Sequence, residues 1–345
     1  MNVHELPMII FTVVAQMCVG MFVVLGVVQL VASLRHDVRT VERLTEPIVY
    51  AIGPAMVFGL AASTLHMNDV TNVLNVFRNV GSSWLSREIV FGMLFAGGGF
   101  AFALMQWFAI ATIRVRQVVA GLTALAGIAL VWSMAQIYYS LTTVPAWNTP
   151  VVPLHFFATT IVLGSLAVGC ALLGTVMVRK RAAERATGGT TADDAPASAG
   201  GPAPSGRAAA VATAVRARVT EINRPTTTTE WVLTTRTIQW LAVASAAAGV
   251  VVLISYPLHI ADLAADPVGA VSAQVFSGAF FVARLLLLGV SAVLMALFIY
   301  RTAQDTLRDR PQLLAGLMTA AFVVALAAEL MGRSLHYDSM LRIGI

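Results

Sequence analysis

A chain of 345 residues that is 58% hydrophobic and only 11% charged, with a mean hydropathy of +0.81, has too little polar surface to fold as a water-soluble domain. Its net charge of +5 and isoelectric point near 9.7 do not indicate nucleic acid, because the basic residues lie in loops between apolar runs. The two cysteines, Cys18 and Cys170, stand inside apolar runs with no Cys or His at metal-ligand spacing; they read as packing residues, and no metal site is expected.

Crossing a bilayer takes roughly 20 apolar residues. Runs of that order predict spans at 8–33, 47–66, 87–110, 117–140, 151–178, 236–258, 275–300 and 312–335. They are too long and continuous for barrel strands, and hydrocarbon requires each backbone group to be satisfied within its own segment. The expected fold class is therefore an all-α integral membrane protein, a bundle of about eight transmembrane helices. The first run follows neither a basic n-region nor a small-residue cleavage site, so it is expected to be the first helix rather than a signal peptide. Residues 1–178 then hold five helices and the candidate site, 179–235 form a basic, Ala/Gly/Pro-rich cytoplasmic linker, and 236–345 hold three helices. Most of the linker reads as disordered because it has few large apolar residues, although Ala208–Val219 could form a basic surface helix. No internal repeat is evident, which gives an inverted-repeat transporter little support.

Orientation follows from the basic residues. The odd-numbered loops, counted with Arg236 at the edge of the fifth, hold 17 of the 22 Lys and Arg, while the N-terminal segment and the fourth and sixth connections hold none. This predicts both termini outside, an N-out/C-out topology in a bacterial cytoplasmic membrane.

Ionisable groups within or at the rim of the spans are the informative ones, since each is costly unless paired or wetted. His66 ends the second span, where an imidazole can take a proton from a molecule arriving through lipid. Glu88 opens the third, where a helix N-terminus also favours a carboxylate without any chemistry. Arg284 and Glu329 fall nine and six residues from the outer ends of their spans, roughly 9–14 Å deep, and Arg333 is i,i+4 from Glu329. A structural ion pair among Arg284, Glu329 and Arg333 is the expectation. The 67–86 connection reads as an amphipathic surface segment, and Trp84, Tyr138, Tyr139, Trp147 and Tyr256 as an aromatic belt. His66, His155, His259 and His336 lie near one side of the membrane, so axial haem ligation stays open on spacing alone.

Several stretches resemble the membrane-anchor subunits of bacterial dimethyl sulfoxide reductases. They are His4-Glu5-Leu6-Pro7-Met8-Ile9-Ile10-Phe11-Thr12 with Gln16, Ser63-Thr64-Leu65-His66, Asn75, Val80-Gly81, and Ser83-Trp84-Leu85-Ser86-Arg87-Glu88-Ile89. Further along come Trp132-Ser133-Met134 with Tyr138, Thr143-Val144-Pro145-Ala146-Trp147, and Glu329-Leu330-Met331-Gly332-Arg333 with Tyr337. The likeness covers the first five spans and the last; spans six and seven match in hydropathy only. It departs at Met67-Asn68-Asp69-Val70, where the family usually has a Leu-Gly-x-Pro pattern, and at Gln136, where a basic residue is common.

The resemblance implies an anchor without haem that takes electrons from menaquinol in anaerobic respiration. It would hold an iron–sulfur electron-transfer subunit and a molybdopterin catalytic subunit at the outer face, with clusters and molybdopterin confined to those partners. His66 occupies the family's quinol-site histidine position, which gives His66 and Glu88 catalytic roles and makes Asn75, Arg78 and Tyr138 further quinol contacts. Terminal reduction falls to the partners, because this protein carries no cysteine-cluster ligands. A haem-b quinol-oxidising anchor, a polysulfide-reductase-type anchor and a secondary transporter are the alternatives that eight spans leave open.

Overall fold

The computed structural model describes residues 5–64, 77–188 and 207–341. Among these residues there is no strand, and eight helices are long and apolar enough to cross a membrane. Helices α1 (Leu6–Ser33), α2 (Val38–Thr64), α3 (Trp84–Trp107), α4 (Ile113–Tyr139) and α5 (Val151–Gly188) form the first half. A non-spanning helix α6 (Arg207–Ile222) leads to α7 (Thr228–Ala265) and a short α8 (Gly269–Ala273). The next span joins α9 (Ala279–Leu288), a π-helical segment over Gly289–Met295 and α10 (Ala296–Asp309); α11 (Pro311–Asp338) closes the bundle.

Eight successive crossings return the backbone to the face where it began. That terminal face carries the α2–α3, α4–α5 and α7–α9 connections; the opposite, linker face carries α6 and the remaining loops.

Helix α1 sits centrally and packs against α2, α4, α5 and α11. Its closest approach to α5 depends on two glycines: a Cβ on Gly20 would lie 1.9 Å from the Thr160 carbonyl oxygen, and one on Gly164 would lie 2.4 Å from the Gly20 carbonyl carbon. Without a solvent-driven hydrophobic effect between helices, such backbone proximity supplies the dispersion contacts that hold them together. The second half attaches mainly through α5, which also packs along α7 and α11.

Several spans run further at the linker face than their apolar runs predict, among them α2, α5 and α7. Helix α2 begins at Val38 rather than near 47, α5 continues to Gly188 rather than 178, and α7 begins at Thr228 rather than 236. The physical reason is cross-helix pairing at the linker face. Arg179, fully buried, donates through Nε to the Ile222 carbonyl at 2.8 Å and through Nη2 to the Arg43 carbonyl at 2.8 Å. Its Nη1 stands 3.8 Å from Glu230, whose Oε1 is also 3.4 Å from Arg43 Nε. Arg43 Nη2 donates to the Arg224 and Pro225 carbonyls at 2.6 and 2.9 Å. Glu230 doubles as the third residue of a capping box: its carboxylate accepts from the Thr227 N–H at 2.7 Å while Thr227 Oγ1 accepts from the Glu230 N–H. Charges that would end a span in isolation therefore sit inside helices.

The same network revises the reading of the linker. Part of 179–235 extends α5 and α7, and a third part is α6, pinned by Arg218 to the Glu46 carboxylate of α2 and, at 3.2 Å, to the Gln106 carbonyl of α3. Residues 189–206 lie outside the described residues.

Candidate functional site

At the terminal face the sequence-predicted residues separate into two groups. His66 and Asn75 lie outside the described residues, as does the first half of the 67–86 connection. Arg78 is exposed on the turn that leads into α3. That turn is fixed to α3 by Arg87, which donates to the Val80 and Gly81 carbonyls at 2.8 and 2.7 Å and lies over the Trp84 ring at 4.2 Å. Ser83 caps the helix by accepting from the Ser86 N–H. One turn into α3, Glu88 is 5% exposed.

Tyr138, at the end of α4, is 4% exposed and shares a 2.6 Å hydrogen bond with the Tyr337 hydroxyl of α11. Its ring meets Trp147 edge-on at 5.0 Å and His336 edge-on at 4.7 Å. The His336 ring stacks on Trp147 at 5.2 Å, and the Trp147 indole donates to the His336 carbonyl at 2.7 Å. These contacts overturn part of the aromatic-belt expectation: Tyr138, Trp147 and Tyr256 face the interior, not lipid. Depth along a span is legible in sequence, but which side of the helix a residue occupies is set by its neighbours.

Beside this cluster, α5, α7, α9 and α11 line a small cavity of about 40 Å³ that reaches His155, Arg284, Glu329, Arg333 and His336. Arg284 Nη2 lies 3.9 Å from Glu329 Oε1, and Thr159 Oγ1 donates to Glu329 Oε2 at 2.6 Å. Arg284 fits because it lies against Gly332, where a Cβ would stand 2.8 Å from its Nε. Arg333, expected to share Glu329, turns instead to Gln16 of α1, donating to its Oε1 at 3.1 Å, and lies 3.6 Å over the Phe156 ring. The sequence reading missed Gln16 and Thr159 as partners. Their signal was polarity inside an apolar span, which calls for a buried acceptor or donor.

The histidines considered for haem have other neighbours. His155 Nε2 is 2.6 Å from the Ser255 hydroxyl, and His259 packs against Phe276. The cavity they share with His336 has room for about three waters. Among the described residues no cluster of His, Cys, Asp or Glu is arranged to hold a metal ion.

This arrangement of Gln16, Glu88, Tyr138, Trp147 and Thr159 falls within the part of the protein that known proteins resemble. Residues 1–186 match the family model for the DMSO reductase anchor subunit (DmsC). The C subunit of the anaerobic dimethyl sulfoxide reductase of Escherichia coli (strain K12) is 32% identical over 166 residues, 47% of this protein and 56% of the relative. The corresponding C subunit of Haemophilus influenzae is 32% identical over 176 residues, 50% of this protein and 60% of the relative. A second Escherichia coli protein, the anaerobic dimethyl sulfoxide reductase subunit YnfH, is 30% identical over 173 residues, 49% of this protein and 58% of the relative. The matched part thus spans a little over half the length of each relative. It ends where α5 ends, before Arg284, Glu329 and Arg333. A match over more than half of the sequence, laid across five consecutive spanning helices, makes this protein a member of the DMSO reductase anchor subunit family.

Proposed function

We propose that the protein is the menaquinol-oxidising anchor of a dimethyl sulfoxide reductase-type complex in the bacterial cytoplasmic membrane. The observation that carries this reading is Glu88, a carboxylate buried one turn into α3 at the terminal face, within the family-matched helices. His66, which follows α2 in the sequence, supplies the second proton-accepting group.

A neutral quinol gives up electrons reluctantly until it begins to lose a proton, so a positioned base couples the two departures. In the reaction, one menaquinol releases two protons and two electrons and becomes menaquinone. His66 takes the first proton, Glu88 takes the second, and the electrons pass to an iron–sulfur subunit. A molybdopterin subunit uses them in terminal reduction.

The bias of basic residues toward the linker face supports a cytoplasmic position for that face, with both termini, the site and the partner subunits outside. Protons released and consumed on one side separate no charge, which makes the protein an electron connector rather than a pump. The haem-b alternative would need a macrocycle between histidines whose shared cavity is about 40 Å³.

The test uses the complex purified from its own membrane in mild detergent. His66→Asn is expected to lower menaquinol-driven turnover by at least about 100-fold, the usual scale for a lost general base. Reduction driven by a soluble viologen dye, which bypasses the anchor, should be unchanged. Full menaquinol activity in the variant would overturn the assignment, and a Soret band on the purified protein would move the reading to a cytochrome.

A further inference from the structure

On the linker-face half of the bundle, α1 and α7 both lie against α5 and leave between them a groove of about 570 Å³. Its walls are valines of α1, among them Val27 and Val31, facing Trp240 of α7; Ser165 of α5 also lines it. The apolar walls are open to the membrane: Trp240 is 73% exposed, Val27 55% and Val31 54%. The mouth is different in kind. Arg35, His36 and Arg236 line it, no acidic side chain does, and among the described residues neither arginine takes part in an ion pair. The nearest acid in sequence, Asp37, has its carboxylate engaged by the Arg39 N–H at 3.1 Å.

The dimensions select the occupant. From Val23 to Arg35 the groove follows α1 for about 18 Å at 1.5 Å per residue, close to the depth of one leaflet of a hydrocarbon core roughly 30 Å thick. Its volume lies in the range of about 300–1,000 Å³ that encloses an organic ligand. A slot one leaflet deep, apolar along its length and doubly basic at its mouth, complements a molecule with an acyl tail and an anionic head.

We infer that the α1–α7 groove is a binding site for an anionic phospholipid, with the headgroup phosphate held by Arg35 and Arg236 and an acyl tail lying along the α1 valines and Trp240. The lipid seals the seam between the first five helices and the last three, where α1 and α7 would otherwise leave a gap. This site lies at the opposite face from Glu88 and is independent of the quinol reading.

Trp240 supplies the probe. The full-length protein is reconstituted into phosphatidylcholine vesicles containing increasing fractions of dibrominated phosphatidylglycerol or dibrominated phosphatidylcholine. The difference between wild type and Trp240→Phe isolates quenching at this residue. Brominated phosphatidylglycerol is expected to quench Trp240 at a mole fraction at least about five-fold lower than brominated phosphatidylcholine. Arg236→Gln should remove roughly five-fold of that preference, and Arg35→Gln/Arg236→Gln nearly all of it, the scale of one basic residue per anionic contact. The preference of the wild type should also shrink in high salt, which screens an exposed headgroup contact and needs no variant to fold. Equal quenching by the two lipids would overturn the site, as would a preference that survives loss of both arginines or is indifferent to salt. Displacement by inorganic phosphate alone would overturn the lipid as occupant.

Discussion

The two faces of this bundle bury charge in contrasting ways. At the linker face, Arg43 and Arg179 converge on Glu230, and their other nitrogens are taken up by the carbonyls of Ile222, Arg224, Pro225 and Arg43 itself. Buried nitrogens without a hydrogen-bond partner occur at both faces: Arg43 Nε, Arg116 Nε, Arg179 Nη1 and Arg218 Nε at the linker face, and Arg284 Nε and Nη1, Arg333 Nε and Gln16 Nε2 at the terminal face, where one Glu329 oxygen also lacks one. Buried polar groups are normally satisfied, and departures concentrate where water, ions or substrates come and go. The linker-face network ties α2, α5 and α7 together through two arginines on one carboxylate, whereas at the terminal face Glu329 meets a single arginine, Arg284, beside a small cavity.

That contrast can be broken by substitutions that lower stability where function was expected, or the reverse. The largest effect is expected from Glu230→Gln, which leaves two arginines facing no carboxylate. Removing one partner of a buried pair costs about 3–5 kcal/mol. It should appear as a lower thermal midpoint of the purified protein, with quinol turnover per assembled complex unchanged. Next comes Glu88→Gln, expected to lower menaquinol-driven turnover by about 100-fold while the midpoint stays within about 2 °C of wild type. A midpoint that falls with unaltered turnover would make Glu88 a structural residue and remove the distinction between the faces. Smallest is Thr227→Ala, which strips the α7 capping box while leaving Glu230 in place; about 1 kcal/mol is expected. A loss as large as that of Glu230→Gln would show that the cap, rather than the ion pairs, carries this junction.

Eight spans were legible because each is a long apolar run, and hydrocarbon leaves little choice but helix. Their ends were less so. The extensions of α2, α5 and α7 depend on Arg43 and Arg179 meeting Glu230, residues distant in sequence whose pairing no hydropathy window contains. Arg333 shows the same limit at the site: i,i+4 spacing pointed to Glu329, but the packing of α1 against α11 offered Gln16, and the Phe156 face took the guanidinium. Glu88 stood out as an ionisable residue at a span rim and Tyr138 as a quinol contact through family likeness, yet their burial and the Tyr138–Tyr337 bond belong to the packed bundle.

The Arg179–Glu230 contact also sets an order of events during synthesis. Fifty-one positions separate the two residues, so α5 leaves the ribosome with a cation at its end whose carboxylate has yet to be made. Until α7 arrives, that arginine must stay at the aqueous boundary. Its burial marks the moment when the later helices dock, and a nascent polypeptide halted in α6 would hold the first half inserted but unlocked.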